Sequence, residues 1–284
     1  NKAELPPDTQ AVIGSRPAID LALTIDGEVT QWNNPVAPIS VCIPYTPTAE
    51  ELLNPDDIVV YYIDGAGSLN CIPNGHYNPD TRKVTFETTH FSLYAVGYNT
   101  KNFTDVPEDA WYARAVRFIA ARDITKNMNG AGTDMFHPNL AISRGQFIIM
   151  LMNAYGIEPS ANPADNFADA GNSNYTNYLA AAKALGIVNG AGDNMFLPKR
   201  LMTRQEMFTM LYNALNALGK LPATGNGKAL SGFRDTSQVD TWARDAMAYF
   251  AGTGILAGNN GAINPQNTVT RAQIAQVIYS LLGR

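Results

Sequence analysis

Apolar and polar positions alternate with a period of two in the first third of the chain and switch to a helical period beyond it. Ile19, Leu21, Leu23 and Ile25 alternate with Asp20, Ala22 and Thr24, and Asp26-Gly27 then reads as a turn. Ile39, Val41 and Ile43 alternate again and end at Pro44. Ile58 to Ile63 is a continuous apolar run, the pattern of a strand buried on both faces. Turn clusters at Asp64-Gly65-Ala66-Gly67, Asn74-Gly75 and Asn78-Pro79-Asp80 precede Val84-Thr85-Phe86 and the run Phe91 to Tyr98. Short strands at this spacing predict a small β-sandwich over residues 1–100. Residues 1–16, polar and proline-rich, are expected to be a tail or a first strand. Cys42 and Cys71 fall on different predicted strands; pairing of those strands would allow a disulfide, and two buried free thiols fit equally well.

From Phe103 the sequence repeats. Phe103-Thr104-Asp105, Phe167-Ala168-Asp169 and Phe233-Arg234-Asp235 each lead to an aromatic residue, Trp111, Tyr178 or Trp242, and then to a helical pattern. A glycine-bearing loop follows, then Pro138, Pro198 or Pro265, and then a second helix. The loop Asn129-Gly130-Ala131-Gly132 matches Asn189-Gly190-Ala191-Gly192. The units span residues 103–156, 167–219 and 233–282, and a helix–loop–helix of this size cannot bury its apolar face alone. Three of them are expected to pack together as an all-α domain over residues 101–284. The fold class is therefore multidomain, β followed by α, and the connectors 158–165 and 220–232 read as loops.

Each second helix opens with the same pattern: Ser143-Arg144-Gly145-Gln146, Thr203-Arg204-Gln205-Glu206 and Thr270-Arg271-Ala272-Gln273. A hydroxyl residue followed three positions later by Glu or Gln is a capping box. The arginine between them sits at the positive end of the helix dipole, where acidic residues are preferred. One such arginine is unremarkable, being a fair helix former with a solvated head. Three suggest anion pockets, each made of free backbone N–H groups at a helix start and a guanidinium fork for a carboxylate or phosphate.

Charge narrows the ligand. A net charge of −5 and a pI of about 5.2 give no long-range attraction for nucleic acid, so an anion must be held by local contacts. No apolar run approaches the length of a membrane span, so no membrane insertion is expected. The chain begins at Asn1 without a signal peptide and is read as a piece of a longer protein with further domains upstream.

Taken together, Phe-x-Asp, the aromatic, the Gly-Ile-Val-x-Gly type of loop, the proline and Thr-Arg-x-Glu/Gln resemble the S-layer homology family over about residues 103–282. The resemblance implies a pseudo-threefold helical domain on the outer surface of a Gram-positive cell. It further implies non-covalent binding of pyruvylated secondary cell wall polysaccharide in grooves between repeats. The pyruvyl ketal is a carboxylate, the ligand type that the arginines called for. Carried over by position, Arg144, Arg204 and Arg271 match the family arginine, Asp105, Asp169 and Asp235 its aspartate, and Trp111, Tyr178 and Trp242 its aromatic. Gly186, Gly190, Gly254 and Gly258 match its glycine loop. Repeat one has Asp123 where the first glycine should be and Gly145 after its arginine, so its groove is expected to be the weakest. The aspartates also fit a plainer role as caps or loop anchors, and the aromatics fit core as well as sugar platforms. The β-region looks, more loosely, like modules that often precede such domains on clostridial and bacillary surface proteins, a resemblance that supplies no activity. The alternative function is an anchor and accessory β-domain of a larger surface enzyme such as a glycoside hydrolase.

Other chemistry is weakly signalled. His76, His90 and His137 form no metal motif, and no cofactor, metal or catalytic residue is expected. Leu221-Pro222-Ala223-Thr224-Gly225 matches a sortase signal in letters, but a third repeat follows and it reads as a loop. His90-Phe91-Ser92 resembles the cleavage site of self-cleaving β-domains, in which a serine attacks the preceding carbonyl. The preferred reading is an ordinary strand with Phe91 inward, because nothing else in the sequence signals strain.

Overall fold

The computed structural model describes residues 4–30, 32–34, 37–128 and 134–283. It divides into two compact units: Asn1–Asn102 with Arg117–Asp123 and Gly283, and Phe103–Val116 with Ile124–Leu282 and Arg284.

The first unit opens with a helix, α1 (Pro7–Ile13), where a tail or strand was expected. Pro7 at its first position has no N–H to leave unpaired and a φ already suited to the helix. Thr9 donates to the Gly67 carbonyl at 2.6 Å, and Ile13 is buried with Ile63 and Ala95. The strands are β1 (Ala18–Asp20), β2 (Leu23–Ile25), β3 (Glu28–Thr30), β4 (Ile39–Pro44), β5 (Ile58–Ile63), β6 (Leu69–Ile72), β7 (His76–Asn78), β8 (Lys83–Thr88) and β9 (Leu93–Tyr98). β2 and β3 form a hairpin around Asp26-Gly27, both with positive φ, the two-residue turn that matches strand twist.

One sheet has the order β1-β9-β5-β6 and the other β4-β8-β7. Ile58, Val60, Tyr94 and Val96 from the first share a core with Ile43, Val84 and Phe86 from the second, so the two sheets pack as a sandwich. The apolar run of β5 is buried on both faces, since Val59 and Tyr61 pack with Ala121 on the other side. Cys42 and Cys71 are free: β4 pairs with β8 and β6 with β5, so the two thiols lie in different sheets.

The helices of the repeats are α2 (Ala113–Ala121), α3 (Arg144–Ala154), α4 (Thr176–Ala184), α5 (Arg204–Ala217), α6 (Arg244–Thr253) and α7 (Arg271–Leu282). Within the second unit α3 packs on α4 and α5 on α6, so the second helix of one repeat meets the first helix of the next. The all-α expectation is not met. Extended segments lie before α3, α5 and α7 and pair with one another through the bridges Ala141↔Thr270, Ser143↔Leu201 and Thr203↔Thr268. A helix N-cap needs β-region dihedrals, and Ser143 (ψ 161°) and Thr203 (ψ 162°) have them. Each segment leading into a cap is thus a short strand whose backbone groups need partners, and the equivalent segments supply them. No helix among the described residues is long and apolar enough to cross a membrane.

Candidate functional site

The site begins at the helix caps. Ser143 and Thr203 form complete capping boxes with Gln146 and Glu206, and Thr270 exchanges the same pair of bonds with Gln273. The helix starts do not, however, offer free N–H groups. The Arg144 N–H donates to the Arg200 carbonyl (3.0 Å) and Gly145 to Pro198 (2.9 Å). Arg204 donates to Asn267 and Gln205 to Pro265, and Arg271 to Leu140 and Ala272 to Pro138, all at 3.0 Å. The first two amides of each helix are therefore closed by the next repeat, and the third by the cap hydroxyl. Beneath them Met202 N–H donates to Ile142, Ile142 to Val269 and Val269 to Met202, a closed ring of fully buried residues. The backbone donors expected to hold an anion are thus spent within the domain, where they hold the repeats together.

The guanidinium half stands differently in each repeat. Arg144 is 6% exposed and lies 4.6 Å over the Phe196 ring, and its Nε donates to the Phe196 carbonyl at 2.8 Å. Its Nη1 also faces Glu206 Oε1 at 3.5 Å. Arg204 is half-buried; Nε donates to Ile263 at 2.8 Å and Nη2 to Ala257 at 3.3 Å. Arg271 is 1% exposed and stacks 4.8 Å over Phe136, yet its Nε, Nη1 and Nη2 have no hydrogen-bond partner among the described residues. Burial lowers the pKa of all three guanidinium groups. The opposing attraction comes mainly from Glu206 for Arg144, from Asp235 for Arg204 and from Asp105 for Arg271. All three remain cations.

The aspartates pin the loops on which these arginines rest. Asp105 accepts from the N–H groups of Phe136 and His137, Asp169 from Phe196 and Leu197, and Asp235 from Ile263 and Asn264. His137, Leu197 and Asn264 each have positive φ and each precedes the repeat's proline. A carboxylate taking two consecutive N–H groups holds this left-handed corner in place. Each arginine thus meets the aspartate loop of the next repeat in cyclic order.

Trp111 and Trp242 are 63% and 54% exposed, each two residues ahead of its helix. Tyr178 is not their counterpart. It lies inside α4, is 4% exposed and accepts from Asn127 at 3.0 Å. The residue two ahead of α4 is Asn174, so repeat two has no aromatic at this place. The sequence placed Tyr178 there because it is the aromatic one helical turn further on.

Gly186 and Gly254 follow their helices with φ of 68° and 79°, and Asp123 takes the same left-handed turn at 55°. The position ends a helix, and Asp is tolerated there. Gly190 and Gly258 lie against the rings of Phe167 and Phe233, where a side chain has no room. The matching loop of repeat one, residues 129–132, lies outside the described residues. One contributor escaped the sequence reading. Glu206 is acidic where the other two capping boxes carry Gln146 and Gln273, and that difference in charge was the available signal.

A family model described as the S-layer homology domain matches residues 102–148, 166–208 and 232–275. An amylopullulanase of Thermoanaerobacterium thermosulfurigenes is 29% identical over 81% of this chain and 12% of its own length. The exoglucanase XynX of Acetivibrio thermocellus is 29% identical over 64% of this chain and 16% of its own. The S-layer protein sap of Bacillus anthracis is 28% identical over 63% of this chain and 21% of its own. The chain therefore spans between about a tenth and about a fifth of these relatives. With all three repeats matched and S-layer proteins among the relatives, the repeats are of the S-layer homology kind, and such domains bind cell wall polymers and attach proteins to the cell surface.

Proposed function

We propose that the repeats bind a pyruvylated secondary cell wall polysaccharide, with the ketal carboxylate taken by Arg204 and Arg271. The supporting observation is the Arg271 guanidinium, a buried cation whose three nitrogens have no partner among the described residues. Asp105 attracts this guanidinium and Phe136 stacks on it, but its hydrogen-bonding capacity is unmet, so a carboxylate gains more there than at a solvated arginine. The exposed faces of Trp111 and Trp242 suit the apolar side of a pyranose. Asp105, Asp169 and Asp235 act by holding the loops beneath the arginines, and Gly186, Gly190, Gly254 and Gly258 by shaping those loops. Purified wall polymer, tested by pull-down before and after removal of its pyruvyl groups, decides the matter. Loss of binding on removal is expected, and equal binding to both forms would overturn the reading.

The second reading concerns what the repeats carry. Two of the relatives are named as polysaccharide-degrading enzymes of several times this length. The amylopullulanase match extends over residues beyond the three repeats, since it covers 233 residues. On this reading the β-unit and the repeats together tether a larger surface enzyme, and sequencing upstream of Asn1 tests it.

A further inference from the structure

Between β8 and β9 lies a group of side chains that anchoring does not use. His90 Nδ1 is 3.1 Å from Ser92 Oγ. Ser92 Oγ is 2.5 Å from the Phe91 carbonyl oxygen, so the hydroxyl sits against the peptide bond that precedes it. The His90 backbone is fixed by the buried Tyr94, whose hydroxyl donates to the His90 carbonyl at 2.7 Å and lies 3.2 Å from Nδ1. Thr88 Oγ1 bonds the same hydroxyl at 2.6 Å, and the Tyr62 ring meets the imidazole edge-on at 4.7 Å. Burial lowers the His90 pKa, which favours the neutral imidazole, the form that can accept a proton.

The peptide itself is clamped on both sides. Phe91 N–H donates to Trp32 at 3.1 Å, and its ring packs on Trp32 at 4.7 Å. The Ser92 carbonyl accepts from Leu21 at 3.0 Å. The strand begins only at Leu93, and Phe91 rests half-buried on Trp32 rather than in the core, so the ordinary-strand reading of this stretch is corrected. Nucleophile, base and carbonyl are held together before any reaction, the condition under which orientation contributes most.

We infer that the chain cuts itself between Phe91 and Ser92. Ser92 Oγ attacks the Phe91 carbonyl carbon while His90 Nδ1 takes the hydroxyl proton, which needs only to rotate about Cβ–Oγ to reach it. The tetrahedral adduct collapses with cleavage of the Phe91–Ser92 C–N bond, and His90 returns the proton to the departing Ser92 nitrogen. The product is an ester between Phe91 and Ser92 Oγ, with a free amine on Ser92. One water molecule then hydrolyses that ester to a Phe91 carboxylate and restores the serine hydroxyl. β9 stays paired with β1 and β5 after the cut, so the halves remain associated under native conditions. The wall-binding repeats lie on the piece that begins at Ser92.

The test is denaturing electrophoresis and intact mass of the full chain, freshly purified and after days of incubation with and without hydroxylamine, a nucleophile that captures esters. Two pieces are expected, the second beginning at Ser92, with masses that sum to the intact mass plus one water. Hydroxylamine is expected to speed the cut and leave a hydroxamate on Phe91. Ser92→Ala stays whole, Ser92→Cys still cuts through a thioester, and His90→Gln slows the reaction by roughly 10²–10⁴-fold. A single intact mass for the unmodified chain, even in hydroxylamine, overturns the inference without reference to any variant. So does a cut that persists in Ser92→Ala.

Discussion

Arg144 Nη1 lies 3.5 Å from Glu206 Oε1, so the arginine of the first repeat already faces a carboxylate from the second. Glu206 also accepts from Arg200 and from the Thr203 N–H. Gln146 and Gln273 occupy the same place in the other two capping boxes and bring no charge. A carboxylate within ion-pair distance, where Asp235 and Asp105 attract Arg204 and Arg271 without such a contact among the described residues, distinguishes the arginine of the first repeat. The glycine loop does not, because Asp123 adopts the same left-handed turn as Gly186 and Gly254.

The grooves are therefore expected to be unequal. Arg204→Ala or Arg271→Ala should weaken a site by roughly tenfold to a hundredfold, since a hydrogen bond to a charged group contributes about 1.5–3 kcal/mol. Arg144→Ala should do much less. Glu206→Gln should strengthen binding at the first repeat, because it removes the nearest counter-charge of Arg144 and leaves only the more distant Asp169. Calorimetric titration with a short pyruvylated fragment ranks the four variants. An Arg144→Ala loss as large as the other two, or no gain in Glu206→Gln, removes the explanation.

The aspartates should matter first for folding. Asp235 is 8% exposed and accepts two consecutive backbone N–H groups. Asp235→Ala leaves both without an acceptor and should destabilise the repeats by about 2–4 kcal/mol. Asp235→Asn keeps one acceptor oxygen and should lose about half as much. Thermal unfolding followed by helical circular dichroism measures both. A melting point unchanged by Asp235→Ala would mean that the loop is held by other bonds.

What was legible in the sequence was local. The capping boxes lie within four residues and formed as expected, and the alternation at Ile39–Ile43 and the run Ile58–Ile63 marked strands. The ring of Ile142, Met202 and Val269 joins residues some sixty or more apart, and no periodicity encodes it. Equally distant acceptors, Arg200, Asn267 and Leu140 among them, take the helix-start amides expected to hold an anion, and the bridges between these segments give the expected all-α unit short β pairs. Tyr178 was misplaced by one helical turn, a shift that leaves the face of a helix unchanged and so escapes pattern matching. Pro7 at the start of α1 is a helix-start signal, and the polar, proline-rich composition around it masks it.

Two glycines should separate strain from crowding. A Cβ on Gly190 would stand 2.7 Å from the Met195 carbonyl oxygen and 2.8 Å from the Phe167 ring, at φ 77°. A Cβ on Gly186, at φ 68°, meets nothing within 4 Å. Gly186→Ala therefore bears only the left-handed penalty, about 1–2 kcal/mol, whereas Gly190→Ala adds a backbone clash and should lose clearly more. Thermal unfolding of the two variants tests the order. Equal losses in the two alanine variants would show that the Gly190 loop relaxes freely.

The β-unit should carry a pH signature of its own. Glu51 is 2% exposed; Oε1 accepts from Arg16 Nε at 2.7 Å, and Oε2 accepts from the Tyr45 hydroxyl at 2.7 Å and the Thr48 N–H at 2.8 Å. Burial disfavours its charge, but the bonds from Tyr45, Thr48 and Arg16 outweigh that and hold its pKa below the ordinary carboxylate value. A carboxylate with a depressed folded-state pKa contributes stability that is fully present above its unfolded pKa, about 4.3. That contribution is lost as pH falls through the folded value. Tyr45 has the opposite sign: burial, and then its bond to Glu51, push its pKa up to about 12. Its contribution is present below the unfolded value of about 10 and is lost as pH rises toward the folded one. Glu51→Gln should therefore lower the urea midpoint of the β-unit at neutral pH, with the gap to the unmodified chain closing below about pH 4. Tyr45→Phe should show its gap at neutral pH and lose it at strongly alkaline pH. Amide resonances of β4 and β8 report the β-unit alone. A Glu51→Gln gap as wide at about pH 3 as at pH 7 would mean that packing, not the charge, accounts for its effect.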